Sequence, residues 1–480
     1  MNNIEALMNK GILNRIWFKF VILVAVMVTA VPYLHQKVGG YVKFILLYGI
    51  IIILYELVTK QLFVIFKDKM NIILLLFCIS YFFTIIVNRD SNLGSNLKAL
   101  VYMVVFFLLL HMTTKEVQKE DLLREIRFIS ATVVVCTFIL SLACFYMYMF
   151  SLSGKYWIDT GIMYYGMYDN RLWGVYNANT GSTLNCISII LSATFLVKPS
   201  RKVYAIFNIG NIILQYICLL LTGSRAALYV LLLLLIIVTI VSCIQRHIKL
   251  GEKRKLKTCA VCVVTIGLVI AVFGGSNAVT KDAISYVPGI VKGIHNFFDD
   301  EKEEFELEKE DLERLEEVEG REGGFFTGRT ELWSASLQAL KENPIWGVTR
   351  ENLYEKSEPY LENEIWAKNL RVGGTHNIYV CILVSSGIVG FVLMAIFASY
   401  LMIKGAMKVI KNIGNINEWM LTIFLLMILF FVTEFVEARI LYQVNVFNVL
   451  FWIYCGYFMQ YLKLMDNEET RNEFYKNTIK

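Results

Sequence analysis

The chain has 480 residues, of which 57% are hydrophobic, 14% aromatic and only 18% charged, with a formal net charge of +6. That composition excludes a soluble domain of ordinary make-up. The charges cluster between long apolar runs, the pattern of a polytopic membrane protein whose solvent is the bilayer, and no nucleic-acid partner is expected.

The first apolar run opens near Trp17, behind the polar start MNNIEALMNKGILNR. It has no A-x-A-like exit, so it is expected to stay as a span. Further runs able to cross a ~30 Å core at ~1.5 Å per residue begin near Val42, Asn71, Leu97, Phe128, Thr180, Tyr204, Ala226 and Thr258. After a long connector, others begin near Asn377, Glu418 and Asn445. The expectation is an all-α polytopic integral membrane protein with about twelve transmembrane helices. Its expected divisions are 1–275 with about nine spans, a large extracytoplasmic loop over 276–375, and 376–480 with about three spans and a cytoplasmic tail.

Lys and Arg set the sidedness. Cations gather in alternate connectors, at Lys60 to Lys69, Lys115 to Arg127, Lys198 to Lys202, Arg246 to Lys257 and Lys404 to Lys411. These are assigned to the cytoplasm together with both termini. The great loop lies on the other face. Its first half, DDEKEEFELEKEDLERLEEVEG, reads as a solvated helix or a spacer. Its second half, GRTELWSASLQALKENP, reads as an amphipathic helix with a stripe of Leu332, Trp333, Leu337 and Leu340, stopped by Pro344. The ten cysteines fall in apolar runs and read as small hydrophobes. Cys259 and Cys262 form a CxxC without a second pair, so no metal is expected there.

Four segments on the external side combine cations, amides or a histidine with glycine. DNRLWGVYNANTGS carries Arg171, Asn177 and Asn179; LLLTGSRAAL carries Ser224 and Arg225 at a corner between spans. TGRTELW places Arg329 and Trp333 at a helix start, and GGTHNIYV leads His376 and Asn377 into a span. Each has a plainer reading alone: Arg171 as an interfacial anchor, Arg225 as a snorkelling residue, Arg329 as a solvated cation, His376 as a satisfied interfacial histidine. Their common leaflet argues for chemistry. Guanidinium groups bind phosphate oxygens bidentately and can hold a lipid-linked pyrophosphate as it leaves. A neutral histidine can take the proton of an attacking sugar hydroxyl.

The segments RLWGVYNANT, LTGSRAAL, GRTELWSASLQALKENPIWGV and THNIYVCILVSSGIVG, in that order with a long loop, resemble the O-antigen ligase and O-antigen polymerase superfamily of bacterial envelope glycosyltransferases. The resemblance implies a GT-C-like helical fold in the bacterial cytoplasmic membrane, with metal-independent and cofactor-free transfer on the extracytoplasmic face. Its donor would be an undecaprenyl-diphosphate-linked glycan, its acceptor another glycan, and a chain-length regulator or flippase would be a candidate partner. By motif, Arg225, Arg329 and His376 would be catalytic, with Arg171, Asn177, Asn179, Ser224, Trp333 and Asn377 binding substrate. Polymerase is the favoured reading; a ligase acting on lipid A core or protein stays open. A lipid-linked oligosaccharide transporter or flippase is the competing class, although no clear internal repeat supports it.

Overall fold

A computed structural model describes residues 11, 13–115, 117–158, 161–251, 255–298, 308–312, 329–361 and 364–478. Helices dominate: α1 (Arg15–Thr29), α2 (Pro32–Val58), α3 (Lys69–Val87), α4 (Leu93–His111) and α5 (Lys119–Met149) precede a small sheet. After it come α6 (Ala178–Val197), α7 (Lys202–Leu221), α8 (Arg225–Lys249), α9 (Lys255–Ser285) and α10 (Val287–Phe298). The later part holds α11 (Arg329–Leu340), α12 (Leu353–Ser357), α13 (Glu364–Gly373), α14 (Ile378–Lys411), α15 (Glu418–Thr433) and α16 (Val446–Thr478).

Among the described residues, nine helices are long and apolar enough to cross a membrane: α2 to α8, the segment Leu256–Ile294, and α14. The protein is thus polytopic and mainly helical. The other three expected runs also fall on helices. Yet α1 has 15 residues and α15 has 16, so each rises only ~23 Å against a ~30 Å core. Helix α16 dilutes its apolar residues with Asn448, Gln460 and Lys463.

The structure bears on three further expectations. Chain assigned to the great loop from 276 is helical as far as Ser285. In α11 the buried face is Leu332, Ala335, Ser336 and Ala339, while Leu337 is 41% exposed, so the inward face is drawn by small residues. The acidic run lies outside the described residues except for 308–312. Within those, Glu310 N–H donates to Ser285 O at 2.9 Å and Leu312 is buried.

Between α5 and α6 the chain makes a three-stranded antiparallel sheet that the all-α reading did not contain: β1 (Gly154–Ile158), β2 (Gly161–Tyr168) and β3 (Arg171–Gly174). Its strands are rich in Tyr and Trp, residues suited to a pleated, half-buried surface. Asp169 and Asn170 both adopt positive φ in the β2–β3 turn, the requirement of a two-residue type I′ hairpin. The sheet packs on α5, where Val175 N–H donates to Cys144 Sγ at 3.4 Å.

Helix α14 is broken at Gly387, which has φ 65° and ψ −173°. The backbone groups freed there are taken by the segment after α11. Val348 N–H donates to Val384 O at 2.9 Å and Thr349 N–H to Ser385 O at 3.1 Å. In the other direction Ile388 N–H donates to Pro344 O at 3.0 Å and Val389 N–H to Ile345 O at 3.3 Å. Irregular backbone at membrane depth is tolerated only when buried in protein with its polar groups paired, and this pairing meets that condition. A Cβ on Gly387 would stand 2.2 Å from Ile345 O, so no other residue fits. Helix α3 braces the same segment, with Thr84 Oγ1 donating to Trp346 O at 2.6 Å and Asn88 Nδ2 to Gly347 O at 2.9 Å.

Candidate functional site

Two helix N-termini, those of α6 and α8, meet the described start of α11 at one end of the bundle. Asn177 caps α6 by accepting from Asn179 N–H at 2.8 Å. Gly223, with φ 60°, turns the chain so that α8 begins at Arg225, and Arg329 lies beside them on α11. Free N–H groups and aligned peptide dipoles make each such end favourable to an anion. Between them lies a cavity of about 150 Å³. Arg171, Arg225, Arg329 and Arg439 line it, together with Asn179 and Glu437.

Strand β3 delivers Arg171, whose Nε donates to Thr222 O at 2.7 Å and whose Nη2 donates to Asn179 Oδ1 at 2.9 Å. Asn179 passes the contact on, donating through Nδ2 to Glu437 Oε1 at 2.9 Å. Arg329 Nη2 stands 4.0 Å from the same Glu437 oxygen, and His376 Nδ1 is 3.5 Å from Oε2. At that distance His376 Nδ1 faces the carboxylate without the alignment of a hydrogen bond. Burial by itself would raise the Glu437 carboxyl, but His376, Arg439 and Arg329 outweigh it and hold the group down at about 2. Glu437 is therefore ionised and anchors the cationic ring.

Arg439 sits behind this ring. Its Nε donates to Glu434 Oε1 at 3.0 Å and its Nη1 to Thr183 Oγ1 at 3.3 Å, while the guanidinium lies 3.9 Å over the Phe447 ring. Its Nη2 is buried and has no hydrogen-bond partner among the described residues. Glu434 is fully buried, so burial pushes its carboxyl up against the pull of Arg439. Four guanidinium groups facing Glu437 and Glu434 leave positive charge in excess even with both carboxylates ionised. This arrangement can take a multiply charged oxyanion such as a diphosphate.

Of the residues singled out from sequence, Arg171, Asn179, Ser224, Arg225 and Arg329 come together on the cavity wall. His376 is outside the lining set and reaches it through Glu437. Its backbone is left-handed, with φ 48°, in the turn before α14. Asn177, Asn377 and Trp333 also stand off the wall. Asn377 caps α14 by accepting from Tyr379 N–H and Val380 N–H at 2.9 and 3.1 Å. Trp333 Nε1 donates to Thr375 O at 2.9 Å, tying α11 to the residue before His376. Their contacts are those of positioning groups.

Sequence reasoning missed Arg439 and the ring role of Glu437. A signal was present: the connector after α15 reads EFVEAR, three charges between two apolar runs, where ionisable residues are costly unless they serve one another or a ligand.

Residues 210–395 match the family model described as O-antigen ligase. The matched segment contains Arg225, Arg329, Trp333 and His376, while Arg171 precedes it and Glu437 and Arg439 follow it. No curated protein matches the chain. The match supports an envelope-glycan function of the ligase or polymerase type, carried out by a glycosyltransferase-like enzyme in a multi-pass membrane protein. A cationic pocket on a helical membrane scaffold, overlapping that segment at two arginines, accords with this match to the O-antigen ligase family.

Proposed function

We propose that the chain is an envelope polysaccharide polymerase, transferring a glycan from an undecaprenyl-diphosphate-linked donor to a lipid-linked sugar acceptor. The observation that carries the reading is the convergence of Arg171, Arg225, Arg329 and Arg439 with two helix N-termini on one small cavity. A sugar hydroxyl attacks the anomeric carbon of the donor. The bond from that carbon to the diphosphate oxygen breaks, and undecaprenyl diphosphate leaves with its charge held by the arginines. His376 takes the hydroxyl proton, and Glu437 sets the ring and carries the charge that develops on it. Charge neutralisation is assigned to guanidinium groups, so the transfer is metal-independent.

The reading includes about twelve spans, with 1–275 and 376–480 forming the membrane domain and 276–375 the extracytoplasmic loop. The cavity faces away from the cytoplasm of a bacterial cell, and both termini lie inside. The family description favours one second reading, a ligase delivering the glycan to lipid A core or protein. The two differ only in acceptor.

Purified protein in nanodiscs tests the site. Arg225→Lys and Arg329→Lys keep charge but lose the planar fork, so each should weaken binding of the diphosphate-linked donor. His376→Ala should bind donor and slow single-turnover transfer by ~10²- to 10⁴-fold. Arginine variants with unchanged donor affinity and turnover would place diphosphate recognition elsewhere. The lipid-linked or core acceptor that is extended decides between polymerase and ligase.

A further inference from the structure

Helices α5, α6, α7 and α15 enclose a groove of about 600 Å³ at the end of the bundle remote from the arginine cavity. Helices α6 and α7 have 20 residues each and meet Arg171 at one end, through Asn179 and Thr222. Their other ends therefore stand ~30 Å away, the thickness of a hydrocarbon core. Pro199 cannot continue α6, so the chain turns beyond Val197 and re-enters as α7 at Lys202. Beside that turn Ala131 of α5 is too small to fill the space. Val134, Val135, Phe195, Phe207 and Trp419 line the inner part, with Phe195 and Trp419 edge to face at 5.1 Å. Val203 on the wall and Ile206 beside it are exposed on α7, so the groove opens sideways towards lipid.

The charged residues of this groove are Arg127, Lys198 and Glu418. Glu418 lies in the first turn of α15 and is met by Lys198 Nζ at 3.2 Å, so one carboxylate is matched by one ammonium. Arg127 is exposed, makes no ion pair among the described residues, and is left over. Arg201 and Lys202, both exposed, follow the lining residue Ser200 and raise the positive charge further. Helix α7 begins at the same place with no side-chain cap, and the free N–H groups of its first turn favour an anion. An apolar wall open to the bilayer beneath a net cationic rim is complementary to a lipid whose headgroup carries a phosphate and a net negative charge. A helix from a second copy of the chain would cover the apolar wall and leave the rim uncompensated.

We propose that this groove binds an anionic phospholipid, with one acyl chain against Val134, Val135 and Trp419 and the phosphate at Arg127 and the start of α7. Lipid binding here is independent of the chemistry of the arginine cavity. Helices α6, α7 and α15 run from the groove to Asn179, Thr222 and Thr433 at or beside that cavity, so the bound lipid braces the far ends of the helices that build it.

The test uses the full-length protein in phosphatidylcholine nanodiscs that hold a minor share of phosphatidylglycerol with brominated acyl chains or, in parallel, the same share of brominated phosphatidylcholine. The signal is the part of the tryptophan fluorescence that Trp419→Phe removes; bromine quenches only at close range, so it reports on the groove. Phosphatidylglycerol should quench it at about a fivefold lower mole fraction than phosphatidylcholine, the effect of one uncompensated cation at a membrane surface. Arg127→Gln should bring the two lipids close to parity. Ala131→Phe, which fills the groove from an exposed position, should lower quenching by both. Inorganic phosphate should leave quenching by phosphatidylglycerol unchanged. Equal quenching by the two lipids in the wild type, or a preference that survives Arg127→Gln, would overturn the anionic assignment. Quenching that Ala131→Phe does not lower would place the lipid outside the groove, and relief by inorganic phosphate would make the rim a free-anion site. Absence of Trp419 quenching by either lipid would give the groove to another occupant, such as a second copy of the chain. Each of these results would end the proposal.

Discussion

Replacing Glu437 by Gln removes one negative charge while leaving an amide oxygen where Asn179 Nδ2 now donates at 2.9 Å. The carboxyl is held at about 2 against an ordinary 4.5, and each pKa unit corresponds to ~1.36 kcal/mol, so its ionised form contributes about 3 kcal/mol to the folded state. At 14% side-chain exposure little of that is screened by solvent. Because the folded value is depressed, the contribution is complete above pH 4.5 and fades as pH falls towards 2. Thermal unfolding in detergent should therefore separate wild type from Glu437→Gln clearly at pH 7 and much less at pH 3. Catalysis should split in a characteristic way. The variant leaves four arginines with one fewer counter-charge, so donor affinity should hold or rise. Transfer should slow by between ~10- and 10⁴-fold, because His376 loses the carboxylate beside Nδ1. A variant that loses donor affinity yet keeps its single-turnover rate would refute the assignment of Glu437 to His376. Equal unfolding temperatures at pH 7 would refute the electrostatic account.

The break in α14 makes Gly387→Ala a severe change. Backbone at positive φ with ψ near 180° is essentially glycine-only and costs another residue ~1–3 kcal/mol before the clash with Ile345 O is counted, so reduced yield and a lowered unfolding temperature are expected; an unperturbed melting curve would contradict it. Transfer from the lipid-linked donor should survive EDTA, and a loss restored by Mg²⁺ or Mn²⁺ would return attention to Glu434 and Glu437. Cysteine introduced at Gly374 should be labelled from outside the cell and at Lys411 only after permeabilisation; labelling of both from one side would overturn the proposed sidedness.

The helical scaffold was legible because apolar runs of membrane length leave the backbone little alternative. The cationic half of the site was legible for a related reason. Arg171, Arg225 and Arg329 each stand beside glycine or amide residues at the end of an apolar or amphipathic run, where a charge calls for a partner. Asn177 and Asn377 stand off the cavity wall as helix caps, both accepting from N–H groups in their own first turns, and the residue type that binds sugar hydroxyls is also one that caps helices. The sheet was hidden because β1 and β2 carry a near-continuous aromatic composition with no clean alternation of polar and apolar residues. Glu437 was hidden because its significance lies in meeting Asn179, Arg329 and His376, which are far from it in sequence.

Helix α11 and the start of α14 form a single clamp. From Arg329 the chain runs down α11, turns at 341–343, and pairs its next residues, Pro344 to Thr349, with the opened backbone of α14 at 384–389. From that pairing the first turns of α14 run back to Asn377 and His376, and Trp333 closes the loop by donating to Thr375 O. Ile378 N–H donates to Glu434 O at 3.0 Å, which brings in the connector bearing Glu437 and Arg439. Arg329, His376 and Glu437 thus hang on one hydrogen-bonded frame. A displacement at Gly387, well away from the cavity wall, should consequently alter Arg329 and His376 together. The separation between Arg329 and His376 is thus held by backbone pairing, as the proposed transfer, which needs near-contact alignment, requires.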